Sequence, residues 1–156
     1  MELSIVRAIL NYQFGDKVGD RIVEKYKDSI KVEVSKNTGR IRRVYIDDKL
    51  FGTIEPTTGF IIPSFFGGEI IKGFLEYPKY RVVVSDDSLP FIKEGKSVFC
   101  KFVVEIDDSI LPEDIVFVVD GKDNLIAVGI ARLSASEIKS FNRGVAVKIK
   151  HVGGNI

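Results

Sequence analysis

Basic side chains are concentrated near the end of the chain, in the segment RGVAVKIKH at residues 143–151, which contains no acidic residue. They are Arg143, Lys148, Lys150 and His151. The alternating pattern predicts a β-strand with the two lysines on one face and apolar residues on the other. Those apolar residues are Val145, Val147 and Ile149. Because lysine and arginine neutralise phosphate groups, this strand has the chemistry of a phosphate-binding surface.

Local charge matters here because the net charge of the 156-residue chain is only +1. A nearly neutral chain has no long-range field that collects anions, so affinity for nucleic acid requires basic residues gathered on one surface. A second acid-free basic group consists of Lys36, Arg40, Arg42 and Arg43. Acidic residues are concentrated elsewhere, at Glu105, Asp107, Asp108, Glu113, Asp114, Asp120 and Asp123. We therefore expect an electrically polarised molecule.

Metal-dependent and nucleophilic chemistry have little support in this sequence. One histidine, His151, and one cysteine, Cys100, cannot supply the ligands of a structural zinc site. Cys100 lies in the apolar run VFCKFVV, which predicts a buried thiol, and a single cysteine excludes a disulfide within the chain. The paired aspartates at 47–48, 86–87 and 107–108 lie in predicted turns. We expect no metal, no cofactor and no catalytic residue.

The segment PFIKEGKS at residues 90–97 ends like a nucleotide-binding P-loop. Pro90 stands where that loop requires its first glycine, and the residues after Ser97 predict a strand instead of a helix. The sequence therefore gives little support to an ATPase or GTPase function. What remains is a short basic loop that contains Lys93, Gly95 and Lys96.

The first half of the chain predicts a small α+β domain. Apolar residues at helical spacing predict helices over 3–14 and 18–26. Strands are predicted over 30–34, 40–46, 50–54 and 60–62, with a hairpin connection at 47–49. A helix over 65–73 contains glycines that weaken it or let another element approach closely. The change in composition around Pro78 predicts a domain boundary, with domains at 1–76 and 77–156.

The second half is predicted to be mostly β-strand. Strands are expected over 80–84, 97–106, 115–119 and 125–133, with a short helix over 88–93 and a turn at 120–124. Ser134 and Glu137 form a capping box for a helix whose buried stripe contains Ile138 and Phe141. So many short strands in so few residues predict a small mixed barrel, because closure removes exposed sheet edges.

Three segments of this second half resemble a PUA domain, the RNA-binding module named for pseudouridine synthases and archaeosine transglycosylases. They are 90–99, 124–134 and 143–150, in the expected order. Segments 11–15 and 35–45 are similar to the region that precedes the PUA domain in archaeal tRNA-guanine transglycosylases. The resemblance implies a small α+β domain followed by a PUA-like β pseudobarrel with short helices. It covers nearly the whole chain.

The resemblance implies binding of tRNA or another structured RNA, through contacts to backbone and shape. It implies no catalysis, because the transglycosylase's catalytic barrel and zinc ligands have no counterpart here, and the chain would then be the non-catalytic part of an RNA-modification system with a modifying enzyme as partner. In the family, RNA lies against the loop after the first PUA helix and against the final strand. The positions that correspond here are Lys93, Gly95, Lys96, Ser97, Arg143, Gly144, Val145, Lys148 and Lys150. A second RNA contact could involve Lys36, Arg40, Arg42 and Arg43.

Two alternatives stay open from the residues alone. The acidic stretch 105–123 could dock a basic protein partner, which would make the chain an assembly subunit that binds RNA only in a complex. An enzyme has the least support, for want of a nucleophile and base. Phe65, Phe66 and Phe91 are interpreted as core residues and not as stacking platforms, because isoleucines flank them. Without an apolar run of about 20 residues or a signal-peptide pattern, we expect no membrane association and a cytoplasmic location.

Overall fold

Two helices open the first half of the chain, as the apolar spacing predicted. The structure is a computed structural model that describes residues 2–153; Met1 and residues 154–156 lie outside the described part. The helices are α1 (Glu2–Phe14) and α2 (Val18–Tyr26). Their buried side chains include Val6, Leu10, Phe14, Val18 and Ile22. Within each helix these residues recur at four-residue intervals, so each helix buries one apolar stripe.

A four-stranded antiparallel sheet follows the helices. Its strands are β1 (Ile30–Val34), β2 (Ile41–Ile46), β3 (Lys49–Ile54) and β4 (Ile61–Pro63), and their order in the sheet is the order of the chain. Asp47 and Asp48 join β2 to β3 with φ angles of 51° and 65°. Two consecutive positive φ angles are typical of the tight hairpin turn whose twist matches that of the strands. The predicted hairpin is therefore confirmed.

Helix α3 (Phe65–Gly73) follows β4 and lies close to the sheet. Ser64 caps it, since the Ser64 hydroxyl accepts a hydrogen bond from the Gly67 N–H group at 2.9 Å. A Cβ atom at Gly67 would lie 1.9 Å from the Phe51 carbonyl oxygen. The glycine therefore permits close contact between α3 and β3, which confirms the prediction of close approach in this helix.

The second half forms a nearly closed, barrel-like sheet with short helices. Its elements are β5 (Arg81–Val84), α4 (Leu89–Lys93), β6 (Val98–Phe99), β7 (Val103–Ile106), β8 (Ile115–Val119), β9 (Leu125–Ala131), α5 (Ala135–Ser140) and β10 (Val145–Val152). The strand order is β6-β10-β9-β8-β5-β7, and only β5 and β8 pair in parallel. By its backbone contacts the chain divides into two units, Met1–Leu75 and Glu76–Ile156. The α+β class with a β pseudobarrel is confirmed.

The prediction of one long strand over 97–106 is wrong. A 3₁₀ turn at Cys100–Phe102 divides this segment into β6, which pairs with β10, and β7, which pairs with β5. The turn carries Cys100 into the core, where it is 4% exposed. Continuous apolar composition could not reveal this break, because each half of the segment has the composition of a strand.

Helix α5 has the capping box that its sequence predicted. The Ser134 hydroxyl accepts from the Glu137 N–H group, and the Glu137 carboxylate accepts from the Ser134 N–H group at 2.9 Å. Ile138 is buried as expected, but Phe141 is 47% exposed. The helix ends at Ser140, and Phe141 has an extended backbone with ψ of 135°. The helical spacing from Ile138 to Phe141 therefore does not apply, and the prediction of a buried Phe141 is wrong.

A buried arginine links β5 to the turn before β9. Arg81 is 3% exposed, and its guanidinium donates to both carboxylate oxygens of Asp123, at 3.1 and 3.3 Å. It also donates to the Lys79 carbonyl at 3.0 Å. Hydrogen bonds to charged groups contribute about 1.5 to 3 kcal/mol when a partner is removed. This pair therefore stabilises the second unit.

We expect Asp123→Ala to lower the free energy of unfolding by about 2 kcal/mol, since it leaves a buried guanidinium with fewer acceptors. Urea denaturation monitored by circular dichroism measures this difference. Asp123→Asn keeps one acceptor oxygen and should lose less. An unchanged denaturation midpoint in Asp123→Ala would show that the ion pair contributes nothing.

Candidate nucleic-acid interface

The loop after α4 ends that helix with a Schellman motif. The Gly95 N–H group donates to the Ile92 carbonyl at 2.8 Å, and the Lys96 N–H group donates to the Phe91 carbonyl at 3.2 Å. This motif requires a left-handed residue just after the helix cap, and Gly95 has a φ angle of +89°. The open space around Gly95 excludes a packing role. Gly95 therefore shapes the loop, and its N–H group is already bonded within the chain.

We expect Gly95→Ala to lower the free energy of unfolding by about 1 kcal/mol, because an alanine in the left-handed region suffers a steric clash. Chemical denaturation measures this cost. Asparagine tolerates the left-handed region, so Gly95→Asn is the matched control and should lose less. Equal stability of the alanine variant and the parent protein would contradict this assignment of the loop.

Strand β10 exposes its basic side chains in the manner predicted. Lys148, Lys150 and His151 are exposed, whereas Ile149 and Val152 pack against the core cluster. In the pairing with β9 the register shifts between Ile149 and His151, so Lys150 is the extra residue of a β-bulge. Desolvation, followed by the charge of Lys150, lowers the pKa of His151. His151 is therefore mostly neutral at pH 7, and the positive charge here belongs to the two lysines.

The apolar side of β10 differs from simple alternation at its start. Ala146 and Val147 are both buried, and Val145 is only half-buried. The pairing with β6 shifts register between Val145 and Val147. The predicted alternation of Val145, Val147 and Ile149 on one face is therefore interrupted at its start, because this irregularity turns Ala146 inward. Val145 contributes to the surface of the strand.

Pairing between β6 and β10 brings the loop and the strand together. Val98 lies opposite Val147, and Phe99 lies opposite Val145. Because the strands are antiparallel, the residues before Val98 lie alongside those after Val147. The loop 93–97 therefore lies beside the end of β10 that carries Lys148. Gly144 and the preceding Arg143 lie at the other end of β6, where the Gly144 carbonyl accepts from the Cys100 N–H group at 3.0 Å. Cys100 is three residues from Ser97, which is about 10 Å along a strand at about 3.3 Å per residue.

Most cations of this surface are without an acidic partner. Within residues 2–153, the ion pairs of the second unit involve Arg81, Lys96, Arg132 and Lys139. The exposed cations Lys93, Arg143, Lys148 and Lys150 take part in none of them. The Nζ atom of Lys96 lies 3.4 Å from the Oε1 atom of Glu94 and 5.6 Å from the centre of the Phe91 ring. The surface therefore carries uncompensated positive charge, which is what a phosphate ligand requires.

The acidic stretch has the opposite character, because each of its carboxylates has a partner within the chain. Asp107 accepts from the Tyr80 N–H group at 2.6 Å and from both the N–H and hydroxyl groups of Ser109. Burial raises the pKa of Asp107, but these donors together hold it below its ordinary value. Glu105 accepts from the Tyr77 hydroxyl, Asp114 from the Leu111 N–H group, and Asp120 from the N–H groups of Lys122 and Asn124. Three acids pair with cations: Asp108 with Lys139, Glu113 with Arg132, and Asp123 with Arg81. The remaining acids accept from neutral donors, which hold the carboxylates in place without neutralising their charge.

The second basic group lies at one end of the four-stranded sheet. Lys36, Arg40 and Arg42 are exposed and form no ion pair within the described residues. Arg43 differs, since its Nη1 atom lies 2.9 Å from both carboxylate oxygens of Glu33. That hydrogen bond, together with the charge of Glu33, raises the pKa of Arg43. The sequence interval 36–43 contains no acid, but pairing of β1 with β2 places Glu33 directly opposite Arg43.

The three arginines line a groove of about 490 Å³ between two hairpin loops. The loops are alike, since Gly39 N–H donates to the Ser35 carbonyl and Gly59 N–H donates to the Glu55 carbonyl, each near 2.8 to 2.9 Å. The Glu55 carboxylate accepts from N–H groups of its own loop at Thr57 and Thr58. The groove therefore presents Arg40 and Arg42, which form no ion pair within residues 2–153, together with the carboxylate of Glu55.

Exposed aromatic side chains are the feature that the sequence interpretation missed. Phe91 is 51% exposed, although its position beside Ile92 favoured a core role. Phe99 and Phe141 are also exposed. The short helix α4 turns Ile92 inward and Phe91 outward, and one such turn gives no periodicity from which to choose between them. The interpretation of Phe91 as a core residue is wrong.

Reactive chemistry finds no support in this part of the structure. Within residues 2–153, no three His, Cys, Asp or Glu side chains are grouped so that they could hold a metal ion. Burial raises the pKa of the Cys100 thiol, which keeps it protonated and unreactive at neutral pH. Among the described helices, none has the length and apolar character needed to cross a bilayer.

Comparison with known families assigns both units. Residues 80–153 match the PUA domain, and residues 4–78 match the patch-forming domain C2 of tRNA-guanine transglycosylase. Residues 4–78 belong to the C2 domain family and residues 80–153 to the PUA domain family. The resemblance noted in the sequence is therefore confirmed. The loop 93–97 and strand β10 belong to the PUA domain, and the arginine groove belongs to the C2 domain.

Curated relatives match the chain over nearly its full length. The tRNA-guanine(15) transglycosylase of Methanobrevibacter smithii is 44% identical over 149 residues, which are 96% of this chain and 22% of that protein. The corresponding enzyme of Methanothermobacter thermautotrophicus is 37% identical over 152 residues, which are 97% of this chain and 23% of that protein. The chain thus spans less than a quarter of the length of these relatives. Its C2 and PUA domains correspond to non-catalytic parts of the transglycosylase.

Two solved structures show the same fold in chains of similar size. A hypothetical protein of Pyrococcus horikoshii is 28% identical with a TM-score of 0.75, and the match covers 99% of this chain and 91% of that chain. A conserved PUA domain protein of Thermoplasma acidophilum is 28% identical with a TM-score of 0.61, and the match covers 89% of this chain and 91% of that chain.

Proposed function

We propose that this chain binds structured RNA, in particular tRNA, through the loop 93–97 and strand β10 of its PUA domain. The observation that carries this proposal is the difference between the two charged regions. The acids of residues 105–123 are bonded within the chain, whereas Lys93, Arg143, Lys148 and Lys150 have no acidic partner among the described residues. A free anionic ligand is what balances such a surface. The matched families and relatives give no support to the alternative of an acidic docking face.

Recognition rests on phosphate contacts and on shape. The free lysines and the arginine neutralise phosphates and release counterions. The major groove of duplex RNA is too deep and narrow for side chains to read, so this basic surface contacts the backbone and the end of a stem. Gly95 and Gly144 carry no side chain and Ser97 carries a short one, which lets this backbone approach closely. Val145 lies on the same surface. The bonded N–H groups of Gly95 and Lys96 leave the contact to side chains.

tRNA is the RNA that the relatives favour, because their names describe guanine transglycosylation of tRNA. We propose that residues 1–76 and 77–156 act as two domains of a binding module without catalysis of its own. Such a module serves an RNA-modifying enzyme partner by holding its substrate. In the C2 domain, Lys36, Arg40 and Arg42 form a second phosphate contact, with Arg43 held beside them by Glu33.

Binding assays with tRNA, duplex RNA and duplex DNA of matched length test this function. Each titration is repeated across a salt series, because the slope of log affinity against log salt counts the neutralised phosphates at about 0.7 to 0.9 per contact. We expect tRNA to bind more tightly than duplex DNA, with a slope that corresponds to a handful of contacts. Absence of binding to all three at low salt, or equal binding to RNA and DNA, would contradict the proposal.

A further inference from the structure

Two loops of the C2 domain have the same conformation. The first loop is residues 35–40, with the sequence SKNTGR, and the second loop is residues 55–60, with the sequence EPTTGF. In each loop the N–H group of the first residue donates to the carbonyl of the sixth at 2.8 Å, and the N–H group of the sixth donates to a threonine hydroxyl at 3.2 Å. Gly39 and Gly59 have φ angles of 71° and 76°. The loops can therefore be compared position by position.

The second loop carries a carboxylate at its first position, and its own backbone binds that carboxylate. Glu55 accepts from the Thr57 N–H group at 2.9 Å and from the Thr58 N–H group at 3.2 Å. The hydrogen bond from the Thr57 N–H group is the main reason that the pKa of Glu55 lies below its ordinary value. Successive N–H groups that converge in this way form a concave binding site for anions. A loop of this conformation therefore holds an anionic group.

The first loop has the same two donors but no carboxylate of its own to accept from them. Ser35 stands in the place of Glu55, and its hydroxyl accepts only from the Thr38 N–H group at 3.4 Å, which is longer than an ordinary N–H···O bond. Among residues 2–153, no acceptor binds the N–H group of Asn37. Nothing lies within 4 Å of a Cβ atom at Gly39, so the loop is open on that side. Both donors are therefore available to an anion from outside the chain.

The charges around the two loops differ in the same sense. Lys36 and Arg40 belong to the first loop, and Arg42 follows it on β2; all three are exposed and form no ion pair within the described residues. The second loop has Pro56 and Phe60 at the positions of Lys36 and Arg40. The loop without its own carboxylate is thus the loop that carries cations, which strengthen hydrogen bonds to an anionic ligand.

We propose that the first loop binds a phosphate group of the RNA backbone, whose oxygens accept from the N–H groups of Asn37 and Thr38 and pair with Lys36 and Arg40. This inference rests on the proposed function and deepens it, because it adds a main-chain site to the second phosphate contact. A phosphodiester group has two charged oxygens, so it can occupy both donors as a carboxylate does. Such a contact fixes the position of the RNA and does not read its bases.

Inorganic phosphate is the first probe of this site, because it has the same chemistry and needs no RNA. Backbone amide signals of the ¹⁵N-labelled chain are followed by NMR during a phosphate titration at constant ionic strength. We expect saturable shifts at Asn37 and Thr38. Thr57 and Thr58 serve as the internal control and should not respond, because Glu55 occupies their N–H groups. Equal shifts in the two loops, or no saturable shift in the first, would overturn the inference.

Substitutions of Ser35 test the main-chain donors directly. Ser35→Glu copies the second loop, so its carboxylate should take both N–H groups and lower the phosphate affinity by at least about tenfold. Ser35→Gln offers a neutral oxygen at the same reach and should also weaken binding, which separates occupied donors from charge repulsion. Ser35→Ala is the matched control, since it leaves both donors open and should bind phosphate as the parent does. An affinity in Ser35→Gln equal to that of the parent would overturn the main-chain contact.

A hairpin RNA without terminal phosphates separates a backbone phosphate from a free ion. We expect this hairpin to shift the amides of Asn37 and Thr38, and we expect Ser35→Glu to bind it more weakly than Ser35→Ala does. If the hairpin binds the chain without shifting these amides, the loop does not bind RNA and the inference is overturned, while the proposed function stands. If no RNA binds but inorganic phosphate still shifts these amides, the proposed function and the RNA source of the phosphate both fail.

Discussion

A variant with Arg143→Ala, Lys148→Ala and Lys150→Ala should bind tRNA about 50- to 170-fold more weakly than the parent protein at 0.15 M salt. The estimate follows from counterion release, which makes each phosphate contact worth about four- to sixfold in affinity at this salt concentration relative to 1 M. All three side chains are exposed, so their removal leaves the core intact. Filter binding or fluorescence anisotropy across a salt series measures the loss. The slope of log affinity against log salt should fall by about two to three.

The matched control removes the same number of charges elsewhere in the chain. Lys27, Lys79 and Lys122 also form no ion pair within residues 2–153, and they lie outside the proposed surfaces. Their joint replacement by alanine lowers the net charge equally, so it measures the general effect of charge. We expect a loss of only a few fold and nearly the same salt slope as the parent protein. Equal losses in the two variants would show that binding follows net charge and not this surface.

Gly129→Ala should have the largest effect on stability among single methyl additions to the PUA domain. A Cβ atom at Gly129 would lie 2.4 Å from Val147 Cγ1 and 2.7 Å from the Lys148 carbonyl oxygen. Gly129 lies opposite Ile149 in the pairing of β9 with β10. The methyl group would therefore push directly against the backbone of the strand that carries the basic side chains. Overpacking of this kind costs about 1 to 3 kcal/mol.

Urea denaturation of Gly129→Ala measures that cost, and tRNA binding measures the displacement of β10. We expect the free energy of unfolding to fall by about 3 kcal/mol, at the upper end of that range, because one of the two clashes is with backbone. Gly121→Ala is the control, since nothing lies within 4 Å of a Cβ atom at Gly121 and its φ angle is outside the left-handed range. The control should retain both stability and affinity. If the Gly129→Ala protein is as stable as the control, then β10 can move aside without any loss of unfolding free energy, which would contradict this prediction.

Much of the fold could be predicted because its local signals agree with one another. The apolar stripe of α1, the hairpin at Asp47 and the capping box at Ser134 each have a short-range physical cause. The division of 97–106 into two strands has a long-range cause, since β6 and β7 bind different partners that are distant in sequence. Composition alone does not encode that choice. The same limit explains Ala146, whose inward position depends on the register with β6.

The candidate site was predicted in part, for reasons that depend on the residue type. Lysines such as Lys148 are exposed almost wherever they occur, so sequence places them on a surface reliably. Arg43 differs because its partner Glu33 is on the neighbouring strand, which only the pairing reveals. Phe91 and Phe141 are aromatic residues whose exposure runs against the general rule. A sequence pattern assigns such residues to the core unless a ligand is already suspected.

The most direct test of the central claim is a map of the tRNA contact on the protein. Backbone amide signals of ¹⁵N-labelled protein are recorded by NMR during titration with tRNA at about 0.1 M salt, where the Debye length is about 10 Å. We predict that shifts and broadening concentrate in residues 93–99 and 141–151 of the PUA domain, with a smaller set near Arg40 and Arg42. Changes centred on the acidic residues 105–123, or no changes at saturating tRNA, would contradict the account.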